Sequence, residues 1–126
     1  MKLSEAIRMG AKLRPQARGE YFTDGGSCAV GAAWEVVTGE TRLPVSFPRK
    51  KVAERLGIGD PELITIIANK NDGENLTREE IADWVALNHD CEIPRKPRES
   101  DADYTKRVIT EITNGAHHEA SQKVAG

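Results

Sequence analysis

The apolar positions of this chain mostly recur three or four residues apart, the spacing of a helix face. Leu3, Ala6, Ile7, Gly10 and Leu13 form the first such stripe, with Glu5, Arg8 and Lys12 on the other side. Arg14-Pro15 ends it, because a residue before proline is pushed out of the helical region. The segment from Ser27 to Thr38 is different in kind. Ala29, Ala32, Ala33, Val36 and Val37 make one apolar face and Val30 with Trp34 a second, which leaves only Glu35 to reach water. A helix apolar nearly all round needs neighbours on several sides, so this one belongs at the centre of the molecule. Ser27 is placed to cap its start and Gly39 to end it in a left-handed turn, while Gly31-Ala32-Ala33 leaves room for another helix to approach.

Three more helices follow in the same register of signals. Pro48 to Leu56 is the third, with Gly57 at the left-handed C-terminal position. Asp60-Pro61 opens the fourth, whose buried face is Leu63, Ile64, Ile66 and Ile67 and whose end is Asn71-Asp72-Gly73. Thr77-Arg78-Glu79-Glu80 is a capping box for the fifth, flanked by Leu76 and Ile81 as a hydrophobic staple. Residues 89–100 read as a linker, Asp101 to Asn114 as a sixth helix striped by Tyr104, Val108 and Ile112, and residues 115–126 as a mobile tail. Tyr21-Phe22-Thr23 and the alternating Leu43, Val45 and Phe47 are the two pieces that would form a small ribbon. The pattern thus predicts a mainly α fold: a compact single-domain bundle of five to six short helices around residues 27–38, with residues 1–88 as its core.

Composition narrows this picture. With 126 residues, 38% apolar and 5% aromatic, the chain has one domain and a thin aliphatic core. The net charge of −2 is unevenly laid out. Lys2, Arg8, Lys12, Arg14 and Arg18 face Glu5 alone within residues 1–18, whereas residues 60–92 hold nine acids against Lys70 and Arg78. Two cysteines do not make a disulfide framework, Met1-Lys2-Leu3-Ser4 is unlike a signal peptide, and no apolar run suits a membrane span. The expected location is the cytoplasm, with both thiols reduced.

Candidate chemistry is sparse. Ala53, Gly57, Ile58, Leu63 and Ile66 fall at helix-turn-helix spacings, so residues 48–71 with Arg49, Lys50 and Lys51 are a candidate DNA-binding unit. Against it, Asp60 and Glu62 at the head of the second helix would repel phosphate. Cys28, near the start of the central helix, is a candidate nucleophile, because a helix N-terminus favours the thiolate. Gly26-Ser27-Cys28-Ala29 is locally similar to the cysteine region of papain-like proteases, although that family's glutamine shortly before the cysteine is absent. His89, His117 and His118 are the only histidine bases, and with Cys91 they lack the paired short spacings of a zinc site. No metal or other cofactor is implied.

Leu3-Ser4-Glu5-Ala6-Ile7, Arg14-Pro15-Gln16, Cys28-Ala29-Val30-Gly31-Ala32, Asn71-Asp72 and Arg78-Glu79-Glu80-Ile81-Ala82-Asp83-Trp84 together resemble a group of small proteins of prophages and phages of proteobacteria. The resemblance spans residues 1–88 and carries no assigned active residue. It implies an accessory phage protein, not an enzyme, that binds and modulates a host macromolecule, as anti-defence and anti-CRISPR inhibitors do. The expected partner is a host protein or complex, with nucleic acid second and no membrane. Its contact surface would be charged. Glu74, Glu79, Asp83 and Asp90 would meet a basic target, or Arg95, Lys96, Arg98, Lys106 and Arg107 an acidic one.

Overall fold

A computed structural model describes residues 1–43, 49–94 and 99–125 of the chain. Its elements run α1 (Leu3–Ala11), β1 (Phe22–Thr23), β2 (Gly26–Ser27), α2 (Ala29–Thr38), α3 (Arg49–Arg55), α4 (Glu62–Asp72), α5 (Arg78–Asn88) and α6 (Asp101–Ala125). The fold is mainly helical with one small antiparallel ribbon, as the apolar periodicity predicts.

The alanine-rich helix α2 is the centre. Ala29, Val30, Ala32, Ala33, Trp34, Val36 and Val37 are all buried, with α1, α4 and α5 packed around them. α1 comes in at the closest range. A Cβ built on Gly10 would stand 2.1 Å from the carbonyl oxygen of Ala32, so the two backbones touch where only glycine fits. α1 also lies along α5, which buries Ile81, Ala82 and Val85 against the same core. Gly39 closes α2 in the left-handed conformation at φ 78°, as expected.

Several local expectations need correction. The α2 cap is Cys28, whose Sγ accepts from the Gly31 N–H at 3.4 Å; Ser27 lies in β2 instead. Ser27 is drawn into extended pairing because its N–H donates to the Pro15 carbonyl at 3.0 Å and its own carbonyl accepts from Ala17 at 2.8 Å. β1 pairs antiparallel with β2 across the Asp24-Gly25 turn, Phe22 opposite Ser27 and Thr23 opposite Gly26. The expected partner strand was Leu43 to Phe47, of which residues 44–47 lie outside the described residues. Glu35 does not reach water: it is buried on α2 and grips Arg14 through both carboxylate oxygens, at 2.7 Å each. Leu13 is exposed, because α1 has already ended at Ala11.

The helical hairpin α3–α4 keeps its expected turn. Gly57 has φ +75°, and a Cβ there would stand 2.1 Å from the Glu92 carbonyl oxygen. The side chain of Asp60 accepts from the Glu62 N–H at 3.0 Å, opening α4. The buried side of α4 is Leu63, Ile64, Ile67 and Asn71, so Ile66 faces out. The Thr77–Glu80 capping box is present in both directions at α5.

Part of the segment expected as a linker, residues 90–93, is tied to the core. Cys91 accepts from the Leu3 N–H at 2.9 Å, Ile93 donates to the Met1 carbonyl at 2.9 Å, and the Ile93 side chain is buried. At the other end, α6 continues to Ala125, past the expected stop at Asn114. Among its described side chains none is buried.

Candidate functional site

Two polar residues, expected only at helix ends, organise the interior. Asn71 sits in phase with Ile64 and Ile67 on the buried face of α4. Its Oδ1 accepts from Gln16 Nε2 at 2.8 Å and from the Ala29 N–H at 3.2 Å; its Nδ2 donates to the Ala17 carbonyl and to Asp72 Oδ1, each at 2.8 Å. An asparagine amide offers two donors and two acceptor sites, and all four are used. The Arg18 guanidinium reaches the Asn71 carbonyl, and Asp72 accepts from the Gly19 N–H at 2.9 Å.

Arg78, the first residue of α5, is buried in phase with Ile81, Ala82 and Val85. Its guanidinium donates to Ser27 Oγ at 3.0 Å and to the carbonyls of Ser27, Ala11 and Arg14 at 3.3, 3.2 and 2.7 Å. Burial lowers its pKa against the pull of Cys28 and Glu79. The two hubs tie the loop of residues 14–19 to β2 and to the heads of α2 and α5. The segments Arg14-Pro15-Gln16, Cys28-Ala29, Asn71-Asp72 and Arg78 therefore meet at one place, and what they build there is an internal hydrogen-bond network. The signal that could have revealed it was a polar residue falling on an otherwise apolar stripe.

Cys28 lies at the edge of this network and is buried. Burial pushes its thiol up to about 11, overriding the hydrogen bonds from Gly31 and Val30 that lower it. The expected activation by the helix N-terminus is therefore reversed. Cys91 is half-buried with its thiol against the Leu56 carbonyl at 3.6 Å, and burial with Asp90 and Glu92 raises its pKa as well. Among the described residues no group of three His, Cys, Asp or Glu is placed to hold a metal ion. No helix there is long and apolar enough to cross a membrane.

The charged residues expected at a contact surface separate into several fates. Glu79 and Asp83 flank Arg8 of α1, at 3.8 and 2.5 Å, on the exposed side of α5. Glu74 meets Lys70 at 3.4 Å, and that ammonium stands 4.3 Å over the Trp84 ring. Asp90 is not presented outward. Its carboxylate accepts from the Ser4 hydroxyl at 2.6 Å and from the Ser4 and Cys91 N–H groups at 3.1 Å each, so it caps α1 from a distance. Burial works against that charge, but these three donors outweigh it and hold the Asp90 carboxyl below the usual aspartate range. Arg107 likewise is engaged, with Glu99 at 2.9 Å, Glu111 at 3.0 Å and the Pro94 carbonyl; the first of these carboxylates raises its pKa most. Lys106 is exposed, and Arg95, Lys96 and Arg98 lie outside the described residues.

Comparison of the chain with protein-family models, curated proteins and solved structures finds no match. In α3 and α4, Ala53 and Leu63 are buried and Gly57 is left-handed, and Arg49 donates to Glu62 Oε1 at 2.9 Å and to the Thr65 hydroxyl. Lys50 and Lys51 stay exposed. On α5, the outward side carries Glu80, Asp83, Trp84 and Leu87 in one line; Trp84 is half-buried and Leu87 is 85% exposed. That line is the candidate interaction surface.

Proposed function

We propose that this protein is a phage-derived accessory protein that acts by binding a host macromolecule, as an inhibitor or adaptor of the anti-defence type, and that the outer side of α5 makes the contact. The observation that carries this reading is the pairing of Trp84 and Leu87. They stand one turn apart on α5: Leu87 is 85% exposed, and Trp84, half-buried against the core between Lys70 and His89, lies beside it with Glu80 and Asp83 nearby. An aromatic and an aliphatic anchor within a carboxylate frame is the make-up of an interface centre for a partner with basic groups. The neutral state of the Cys28 thiol at pH 7 supports binding over thiol chemistry.

Reading of DNA through residues 48–71 draws less support. Arg49 is held by Glu62, and Asp60 and Glu62 stand where phosphate would approach the head of α4.

Affinity capture from host lysates tests the proposal when three forms are compared: the native chain, Leu87→Glu and Asp83→Arg. The expected result is a protein retained by the native chain and lost by both variants, with the melting temperature of Leu87→Glu within a few degrees of native, since that side chain is 85% exposed, and that of Asp83→Arg lower through loss of the Arg8 pair. Retention by all three forms would move the contact away from α5. Recovery of nothing beyond an unrelated control protein would sink the binding reading.

A further inference from the structure

Among the described residues, a groove by α4 and one face of α6 both carry exposed isoleucines. The first is a groove of about 290 Å³ between the α3–α4 turn, α4 and the segment after α5. Ile58, Leu63 and Ile66 line it with Cys91, and Ile66 is 42% exposed. Gly59 leaves its floor open, since a Cβ there would meet nothing within 4 Å. Asp60 gives the rim a negative charge. The second surface lies on α6. α6 turns Arg107 toward Pro94 and Glu99, and on the opposite side presents Thr105, Lys106, Ile109 and Ile112. Ile109 is 59% and Ile112 65% exposed.

The two surfaces match. One is a hollow with an acidic rim and the other a ridge of isoleucines with a lysine beside it. A helix ridge set in an apolar groove is a standard way for proteins to recognise an amphipathic helix. Within one chain Arg107, on the other face of α6, bonds Glu99 and the Pro94 carbonyl, and no described α6 residue lines the groove. α6 is also rich in β-branched residues, with Val108, Ile109, Thr110, Ile112 and Thr113 nearly consecutive, and such a helix persists through packing more than through its own propensity.

We propose that α6 of one copy seats Ile109 and Ile112 in the α3–α4 groove of a second copy, with Lys106 against Asp60, and that the exchange is reciprocal. Ridge to groove in both directions satisfies a two-fold axis, so the assembly closes as a dimer.

Sedimentation equilibrium over a concentration series on the full chain tests this. The expected mass is that of a dimer. Ile66→Asp and Ile109→Asp should each yield monomer with unchanged circular dichroism, because both side chains are exposed in the single chain. Lys106→Glu and Asp60→Lys should each weaken the dimer by at least about tenfold, and the double exchange should restore most of that loss. A monomer at every concentration would overturn the proposal. So would a dimer broken by Ile109→Asp but indifferent to Ile66→Asp and Asp60→Lys, since α6 would then be pairing with α6. Failure of the double exchange to restore affinity would overturn the placement of Lys106 on Asp60.

Discussion

Asn71 and Asp90 show how much of this small fold hangs on single polar groups. Asn71 caps α2 through the Ala29 N–H, holds Gln16 and meets the Ala17 carbonyl, so Asn71→Ala leaves several buried groups without partners. Each such group costs about 1–3 kcal/mol, and the variant should lose about 3 kcal/mol or more in urea unfolding, a large part of what a domain of this size has. Asn71→Asp should fare little better, because a carboxylate cannot donate to Ala17. Asp90 makes a pH prediction. Its folded pKa is depressed, so its contribution is fully present above the unfolded value of about 3.9 and is lost as pH falls through the folded value. The loss caused by Asp90→Asn, about 1 kcal/mol at pH 7 by analogy with a helix cap, should therefore shrink progressively in unfolding measured as pH falls below the unfolded value of about 3.9. Both residues were readable only in part. Asn71 could be seen to sit on the α4 stripe beside Ile67, but nothing local says which backbone groups a buried amide will meet. Asp90 caps a helix 86 residues earlier in the chain, a relation that periodicity cannot carry.

At the scale of elements, what the sequence states most clearly is the local chemistry of starts and stops. The capping box at Thr77, the left-handed Gly39 and Gly57, and the all-round apolar character of α2 each follow from residues within one or two turns. What it states poorly is set by neighbours. Ser27 has every property of a helix cap, yet pairing with Pro15 and Ala17 pulls it into β2. Glu35 has the charge of an outward residue, yet Arg14 meets it at the helix surface and lets it be buried. The α1–α2 crossing gives the sharpest test of an element contact. Gly10→Ala would set a methyl group against the Ala32 carbonyl, and neither is a flexible side-chain end that can yield. Against the propensity gain of alanine over glycine in a helix, about 1 kcal/mol, the overlap should still win and the protein should be destabilised by about 1–3 kcal/mol in thermal or urea melts. A neutral or stabilised Gly10→Ala variant would mean that α1 stands further from α2.

For the whole molecule the informative boundary lies near residue 94, not residue 88. The capping box and the α5 stripe run out at Asn88, and the charged, proline-bearing stretch beyond it looks like a spacer. Three long-range contacts bring part of it inside: Asp90 on Ser4, Cys91 on Leu3, and Ile93 between Met1 and the core. Burying an isoleucine contributes about 2 kcal/mol and a helix cap about 1 kcal/mol. A chain ending at residue 88 should therefore lose about 3 kcal/mol or more relative to one ending at 94, which for a domain of this size lowers Tm by 10 °C or more. The 1–94 chain should in turn melt close to the full protein, because no described side chain of α6 is buried in the single chain. The comparison also separates core from assembly. If α6 seats in a partner's groove, the 1–94 chain keeps its fold but sediments as a monomer, and its Tm no longer rises with protein concentration as that of the full chain does. A 1–88 chain as stable as the 1–94 chain would show that the strap over the head of α1 contributes nothing to the fold.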